Sequence, residues 1–273
     1  MLLTEERNPA SANIDKLPTE EMLRIINDED RKVAASVTSE LPQIARAVDA
    51  IAAALGNGGR LFYIGAGTSG RLGVLDASEC PPTFNIPADT VQGIIAGGEA
   101  ALSRATETTE DDGAIGVRDL LARGFGARDV LCGIAASGRT PYVLGAIGEA
   151  NRLGAVTIGI SCTPDSELSK RVKIPITPVP GPEVLAGSTR LKAGTATKLV
   201  LNMLTTGCFI RLGYVRGNLM VNVQPKNTKL RDRAQRIIVE STGASYEEAG
   251  QMLTAAGGNV RKAIAVWEEK ING

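Results

Sequence analysis

Two polar loops, each between an apolar strand and a helix, contain residue types that suit an anion. The first loop runs from Gly65 to Gly73 and includes Gly67, Thr68 and Ser69. Its glycines allow backbone N–H groups to crowd around one point, and its hydroxyl side chains lie where the next helix would begin. No Lys follows the last glycine as in a Walker A loop, and the glycines fit a dinucleotide-binding fingerprint only loosely. The loop therefore predicts a phosphate cradle, with a plain tight turn as the alternative for a loop considered alone.

A second loop and a third polar run favour the phosphate interpretation. Ser137 to Arg139 follow a buried strand, and Thr140 resembles a helix N-cap with Pro141 at the first helical position. In a parallel sheet, two such loops direct two helix N-termini toward one crevice at the carboxyl ends of the strands. A run at 187–192 could close that crevice, and hydroxyl groups in place of several lysines favour a phosphate on a small polar body. The predicted substrate-binding residues are Gly67, Thr68, Ser69, Ser137, Gly138, Arg139, Thr140, Ser188, Thr189 and Lys192.

The composition argues against several classes of partner. The chain has 273 residues, 43% of them hydrophobic, and its 30 acidic and 30 basic residues balance. A balanced charge gives no field that would attract nucleic acid or an anionic membrane. The first residues do not follow the pattern of a signal peptide and no apolar run has membrane length, so we expect a cytoplasmic protein without nucleic-acid or membrane partners. Cys80, Cys132, Cys162 and Cys208 have no CxxC spacing and are expected to be buried free thiols.

The chain contains no histidine, which removes whole classes of mechanism. Serine or cysteine nucleophiles paired with histidine are excluded, and so are histidine-ligated zinc sites. Any general acid or base must be a carboxylate, Lys, Tyr or Cys. Because no acidic cluster has the spacing of a metal-binding loop, we predict a carboxylate mechanism without a metal or other cofactor.

Strand and helix patterns alternate along the middle of the chain. Strands are predicted near 60–65, 91–95, 129–135, 155–160 and 173–178, with helices near 69–80, 113–123, 141–153 and 195–212. This alternation predicts an α/β fold with a doubly wound, mostly parallel, five-stranded sheet covered on both faces. The predicted domains are an N-terminal arm with helices at 1–52, the sheet domain at 53–225 and a small C-terminal three-helix bundle at 226–273.

Two glutamates are candidates for acid–base chemistry. Glu79 lies where two prolines are expected to stop the helix that follows the first loop, and Glu110 lies just before another helix. Each has an ordinary alternative as a surface carboxylate, since acidic residues are common in the first turn of a helix. Their neighbours Asp76, Asp111 and Asp112 would compete for the same roles.

Several strings of residues resemble the N-acetylmuramic acid 6-phosphate etherase family, which has the sugar isomerase (SIS) fold and is related to glucokinase regulatory protein. The matching segments are 3–9, 64–82, 95–98, 110–112, 135–142, 181–184 and 187–196. Single SIS loops occur in many sugar-phosphate proteins, but Asp-Ala-Ser-Glu-Cys-Pro-Pro at 76–82 together with Gly-Ser-Thr-Arg-Leu-Lys at 187–192 is specific to the etherases. The strings at 239–249 and 255–263 resemble the small ubiquitin-associated-like bundle that ends this family, which we expect to pack or dimerise.

The resemblance implies a reaction and a role for each glutamate. It implies cleavage of the lactyl ether of N-acetylmuramic acid 6-phosphate to N-acetylglucosamine 6-phosphate and D-lactate, in cell-wall recycling. Glu79 would be the general acid and Glu110 the residue that handles the C2 proton, which requires pKa values pushed apart by their environments. We expect burial of Glu79 beside Cys80 and the prolines to raise its pKa. A phosphosugar-binding regulatory protein and a phosphosugar isomerase are the alternatives.

One distance does not close within a single chain. Glu79 lies about ten residues into the helix whose N-terminus would hold the phosphate, which places it roughly 15 Å along the axis. A hexose 6-phosphate cannot span that gap between its phosphate and C3. We therefore expect either a sugar bound at another loop of the same subunit or a homodimer in which each site borrows residues from both chains.

Overall fold

The computed structural model describes residues 3–104, 109–223, 225 and 228–272. The chain divides into two compact units, Met1–Glu79 with Ala88–Thr205 and Cys80–Pro87 with Thr206–Gly273. The three consecutive domains predicted from the sequence stay a prediction about which segments fold alone, because a division in space does not test that. Part of the string that contains Glu110, at 108, falls outside the described residues.

The first unit is built on a five-stranded parallel sheet. Its strands are β1 (Leu61–Gly65), β2 (Val91–Ile95), β3 (Val130–Ile134), β4 (Val156–Ile160) and β5 (Ile174–Ile176), in the spatial order β2-β1-β3-β4-β5. Every residue of β1 and β3 is buried, as expected for central strands covered on both faces. The register pairs Gly65 with Ile95 on one side and with Ile134 on the other, so these three strands end side by side. The predicted fold class and all five strands are confirmed.

Helices surround this sheet. They are α1 (Thr19–Thr38), α2 (Leu41–Gly56), α3 (Gly67–Phe84), α4 (Ala100–Ser103), α5 (Gly113–Ala122), α6 (Pro141–Arg152), α7 (Glu167–Arg171) and α8 (Lys192–Arg211). The short helices α4 and α7 carry too few residues for a periodic pattern and were not predicted. Between β3 and the helices, the core includes the fully buried side chains of Leu131, Tyr142 and Ile147.

The prolines of α3 do not stop that helix where the sequence predicted. Pro81 and Pro82 lie inside α3, which continues to Phe84. Proline removes a backbone donor but has a φ compatible with helix, so two prolines are tolerated close to the end. The helix ends where Asn85 adopts a left-handed conformation with φ of 51°, a common way to terminate a helix.

The second unit contains three C-terminal helices, as predicted. They are α9 (Thr228–Thr242), α10 (Tyr246–Ala255) and α11 (Val260–Asn272), preceded by a two-stranded hairpin of β6 (Val215–Arg216) and β7 (Leu219–Met220). Ser245 and Glu248 form a capping box that fixes the start of α10. Ala234, Ile238 and Leu253 are buried in the core of this unit. Among the helices in the described ranges, none is long and apolar enough to cross a membrane.

Candidate functional site

Residues that follow β1 and β3 line a cavity of about 260 Å³ at the carboxyl ends of these strands. Its lining residues are Thr4, Glu5, Ala66, Gly67, Thr68, Ser69, Glu110, Ile134, Ala135, Ala136, Ser137, Thr140, Gly187 and Thr189. The three polar runs singled out in the sequence therefore meet at one place, with Glu110 beside them. The predicted site residues that do not line the cavity are Glu79, Gly138, Arg139, Ser188 and Lys192. In the part of the chain that the structure describes, no cluster of acidic and thiol side chains is placed to hold a metal ion.

The N-terminus of α3 provides the amide groups of this cavity. The first helical hydrogen bond is donated by Gly70 N to Ala66 O at 3.2 Å. The N–H groups of Gly67, Thr68 and Ser69 therefore lie in the first turn, where no helical carbonyl is available to them. Together with the positive end of the helix dipole, they form the arrangement that binds phosphate in many proteins.

Two glycines allow this helix to start directly against the end of β1. A Cβ on Gly70 would lie 2.6 Å from Gly65 O, and a Cβ on Gly65 would lie 2.7 Å from Gly70 N. Both distances are too short for any side chain, so the close approach of strand and helix requires glycine at both positions. Gly67 begins the helix with φ of 52°, a conformation that glycine adopts without strain.

The turn after β3 offers hydroxyl groups where amides were expected. Thr140 is the N-cap of α6 and Pro141 occupies the first helical position, as predicted. Pro141 has no N–H, and Tyr142 N donates to Glu110 O at 3.1 Å. The amides of this helix N-terminus are thus already engaged, and the contribution of this loop to the cavity rests on the side chains of Ser137 and Thr140.

Gly138 and Arg139 of the same loop serve other surroundings. A Cβ on Gly138 would lie 2.3 Å from Ser166 Cβ, and Gly138 O accepts a hydrogen bond from Leu168 N at 2.9 Å. Gly138 therefore packs against the start of α7, while the side chain of Arg139 is exposed. Neither contact places these residues toward the cavity.

The N-terminus of α8 is occupied by a carboxylate of the protein itself. Glu183 is buried, and its two carboxylate oxygens accept hydrogen bonds from Lys192 N and Ala193 N, both at 2.9 Å. A carboxylate in this position satisfies the first amides of a helix and complements its dipole. Of the three helices that start near the cavity, α3 therefore has the N-terminus best suited to an external anion.

The ammonium group of Lys192 points into the interior. Its Nζ donates to Glu29 Oε2 at 2.6 Å and to Pro180 O at 3.0 Å, and its side chain is only 1% exposed. Burial alone would raise the pKa of the Glu29 carboxyl, but hydrogen bonds from three donors on Lys192, Lys32 and Asn8 outweigh burial and lower the pKa to about 2. In this structure Lys192 anchors the run before α8, and a direct contact with substrate stays a prediction without geometric support.

Glu110 is positioned by the packing of α5 against α6. Its carbonyl accepts the hydrogen bond from Tyr142 N, and two residues later the Asp112 side chain caps α5 by accepting from Ala114 N at 2.7 Å. The Tyr142 hydroxyl donates to Asp119 Oδ2 at 2.9 Å, which ties the same two helices together. Glu110 is half-buried and lines the cavity, so its carboxyl has access to a bound ligand.

Glu79 lies away from the cavity of its own chain. It is twelve residues beyond Gly67 on α3, about 18 Å along the helix axis at 1.5 Å per residue. Its side chain is exposed, so the expected burial of Glu79 beside Cys80 and the prolines is wrong for the single chain. Cys80 faces the interior and is buried, because successive residues of a helix point in different directions.

The opposite face of α3 is fixed by Asp76. Asp76 Oδ2 accepts a hydrogen bond from the Tyr63 hydroxyl at 3.0 Å, and Oδ1 accepts from Asn202 Nδ2 at 2.9 Å. Burial raises the pKa of Asp76, against the opposing effect of these hydrogen bonds. Asp76 therefore sets the rotation of α3, and with it the outward direction of Glu79.

Thr4 and Glu5 line the cavity but were not among the predicted site residues. They belong to the string at 3–9 that was matched to the etherase family, so the sequence held a signal for them. Local pattern did not reveal it, because the arm reaches the cavity only through contacts with residues 180–190, far away along the chain. Thr4 O accepts a hydrogen bond from Gly187 N at 2.9 Å, which is one of these contacts.

Relatives of high identity cover nearly the whole chain. The N-acetylmuramic acid 6-phosphate etherase of Aeromonas hydrophila is 56% identical over 97% of this chain and 89% of its own length. The etherase of Clostridium botulinum is 53% identical over 99% of this chain and 90% of its own, and that of Serratia proteamaculans 57% over 96% and 89%. The chain belongs to the N-acetylmuramic acid 6-phosphate etherase family. The predicted resemblance is confirmed.

A family model and solved structures agree on the fold of this etherase-family chain. Residues 43–151 match the glucokinase regulatory protein N-terminal SIS domain. A sugar-phosphate-fold protein of Escherichia coli CFT073 superimposes with a TM-score of 0.54 at 15% identity, over 74% of this chain and 97% of that one. Phosphoheptose isomerase GmhA from Neisseria gonorrhoeae gives 0.51 at 14% identity, over 69% and 97%. At these identities the likeness establishes the SIS fold alone.

Proposed function

We propose that this chain cleaves the D-lactyl ether at C3 of N-acetylmuramic acid 6-phosphate, giving N-acetylglucosamine 6-phosphate and D-lactate in cell-wall sugar recycling. The observation that carries the proposal is one cavity lined both by the N-terminus of α3 and by Glu110. An amide cradle suits the 6-phosphate, and a carboxylate suits proton transfer on the same sugar. The full-length identity to etherases supports this reaction over others that the SIS fold could serve.

The first half of the reaction is an elimination. In the ring-opened sugar the C2 proton is acidic because it lies next to the C1 aldehyde. Glu110, as carboxylate, removes that proton; the electrons form a C2–C3 double bond and the C3–O bond breaks toward the lactate oxygen. A carboxylic acid, which we assign to Glu79, donates a proton to the departing lactate.

The second half adds water to the resulting unsaturated aldehyde. The residue that protonated lactate is now a carboxylate and takes a proton from water as its oxygen attacks C3. The proton held by Glu110 returns to C2, so both carboxyl groups end in their starting states. No redox step and no external co-reactant other than water is needed.

The position of Glu79 leads us to propose a homodimer with shared sites. An acid that is exposed and about 18 Å along α3 from the phosphate cradle cannot act on C3 of a sugar bound there in its own chain. A cavity of about 260 Å³ is also smaller than the roughly 300 Å³ or more usual for small-molecule sites, which supports a further wall supplied by another subunit. Leu75, one turn before Glu79, is 51% exposed and could be covered in such a dimer.

Release of D-lactate tests the proposed reaction directly. The purified protein is incubated with N-acetylmuramic acid 6-phosphate, and D-lactate is measured with a coupled dehydrogenase. A regulatory protein would bind the sugar without releasing lactate, and a phosphosugar isomerase would interconvert aldose and ketose phosphates instead. We also propose that the reaction occurs in the cytoplasm, because a charged sugar phosphate does not cross a lipid bilayer unaided.

A further inference from the structure

The N-terminal arm, defined as residues 3–11, is fixed against the run that precedes α8. Asn8 Nδ2 donates to Glu29 Oε2 at 2.9 Å and to Pro182 O at 3.0 Å. Ser11 Oγ donates to Val184 O at 2.8 Å. Because these anchors are buried, the arm is held in place and its first residues have a defined position beside the cavity.

Thr4 has an unused hydroxyl group in this position. Its side chain lines the cavity and the residue is only 5% exposed. Its Oγ1 is buried and has no hydrogen-bond partner among the residues that the structure describes. A buried hydroxyl without a partner is unfavourable by about 1–3 kcal/mol, and such groups in folded proteins call for a specific explanation. A ligand in the cavity would supply the partner.

Glu5 adds a carboxylate beside that hydroxyl. It lines the same cavity, and its Oε2 lies 3.0 Å from where a Cβ on Gly187 would be, so it sits directly over the backbone of that glycine. A carboxylate repels a phosphate but accepts hydrogen bonds from O–H and N–H groups. The arm end of the cavity therefore fits the neutral part of a ligand, and the α3 end fits the phosphate.

We propose that Thr4 and Glu5 bind the hydroxyl- and acetamido-bearing body of the amino sugar and thereby set the direction in which the sugar phosphate enters. This inference rests on the proposed function for the identity of the sugar. The Thr4 hydroxyl pairs with the acetamido group or a hydroxyl, and the Glu5 carboxylate accepts from a donor on the same sugar. Repulsion between Glu5 and the phosphate prevents the reversed orientation.

Equilibrium binding to two ligands tests the assignment. Titration calorimetry compares N-acetylglucosamine 6-phosphate with inorganic phosphate for the wild-type chain, Thr4→Val and Glu5→Gln. We expect each variant to weaken the sugar phosphate about tenfold, the scale of one hydrogen bond to a buried or charged group, and to change inorganic phosphate less than about twofold. Thr4→Ser, which keeps the hydroxyl, should restore most of the affinity.

Two controls separate ligand contact from a structural role. Glu6→Gln removes the neighbouring carboxylate, which does not line the cavity, and should leave both affinities unchanged. Thr4→Val should not lower the thermal unfolding midpoint of the free protein, because it replaces an unpaired hydroxyl by a methyl of similar size. Equal weakening of both ligands, or no weakening of either, would overturn the assignment. A chain that binds the sugar phosphate with these differences but releases no lactate would overturn the proposed function alone.

Discussion

Lys192 and Glu29 form a buried ion pair between the start of α8 and the middle of α1. The Lys192 ammonium donates to Glu29 Oε2 at 2.6 Å, and the two side chains are 1% and 5% exposed. Asn8 of the N-terminal arm donates to the same carboxylate oxygen at 2.9 Å. One carboxylate thus joins three segments of chain, two of which contribute residues to the cavity wall. Removing it would leave the Lys192 charge buried without its partner, which is strongly destabilising.

The ion pair predicts an acid-dependent loss of stability. The pKa of Glu29 is lowered from 4.5 to about 2 in the folded protein, so the contribution of this carboxylate is complete above pH about 4.5 and is lost as the pH falls toward 2. Glu29→Gln should therefore be destabilised by roughly 3 kcal/mol at neutral pH and show a smaller further loss between pH 4.5 and 2. Urea unfolding at several pH values measures both effects.

Glu20→Gln is the matched control for this experiment. Glu20 lies on the same helix, and its side chain is 86% exposed in an ion pair with Arg24. Exposed pairs contribute little, so this variant should follow the wild-type stability curve closely. Parallel curves for wild type and Glu29→Gln across the acid range would contradict the role assigned to Glu29.

The case of Lys192 shows where sequence reasoning reached its limit. Strand and helix periods are local, and they were sufficient for the five strands, the long helices and the convergence of Gly67–Ser69 with Ser137 at one sheet edge. The partner of Lys192 is 163 residues away along the chain, and no local pattern reveals such a pair. A polar run before a helix therefore predicted a ligand contact for a lysine that the fold uses internally.

The two glutamates are predicted to differ in the step that each controls. Glu79→Ala and Glu110→Ala should each lower kcat by at least about 10²-fold, the scale of one general acid or base. Asp111→Asn removes the exposed carboxylate next to Glu110 and should leave kcat within about twofold, because Asp111 does not line the cavity. Lactate release under saturating substrate gives these values. A variant of Glu110 with wild-type kcat would contradict its assignment.

Exchange of the C2 proton separates the acid from the base. If Glu110 removes the C2 proton, Glu79→Ala should still exchange that proton with solvent deuterium, and Glu110→Ala should not. Proton NMR of the sugar phosphate in D₂O follows the exchange directly. The opposite pattern would reverse the two roles.

The phosphate cradle predicts a selective loss of affinity. Ser69→Ala and Ser137→Ala each remove a hydroxyl from the cavity lining, and should weaken N-acetylglucosamine 6-phosphate about tenfold while leaving the weak binding of N-acetylglucosamine unchanged. Ser188→Ala is the control, because Ser188 belongs to the third polar run but does not line the cavity. Calorimetry or NMR titration provides the affinities. Equal losses for the phosphorylated and unphosphorylated sugars would refute the cradle.

The cysteines are predicted to be chemically silent in the folded protein. All four are buried free thiols, as the sequence predicted. Burial raises the pKa of Cys162 and of Cys208 to about 12 and raises that of Cys132 further, so the reactive thiolate is scarce at neutral pH. A thiol reagent such as dithionitrobenzoate should modify no cysteine in the native protein and all four after denaturation. Rapid native modification of any of them would show that its surroundings open.

Complementation between inactive variants tests the shared site. If Glu79 of one subunit acts on a sugar held beside Glu110 of its partner, a mixed dimer of Glu79→Ala and Glu110→Ala chains contains one site with both carboxyl groups intact. Random exchange of equal amounts makes about half of the dimers mixed, so lactate release should recover to about a quarter of wild type. Mixing Glu110→Ala with the double variant Glu79→Ala/Glu110→Ala is the control, because no intact Glu110 is present and activity should stay at background. Absence of recovery, with subunit exchange confirmed by native mass spectrometry, would place both glutamates in the same subunit's site and would require Glu79 to approach the cavity by a change in α3.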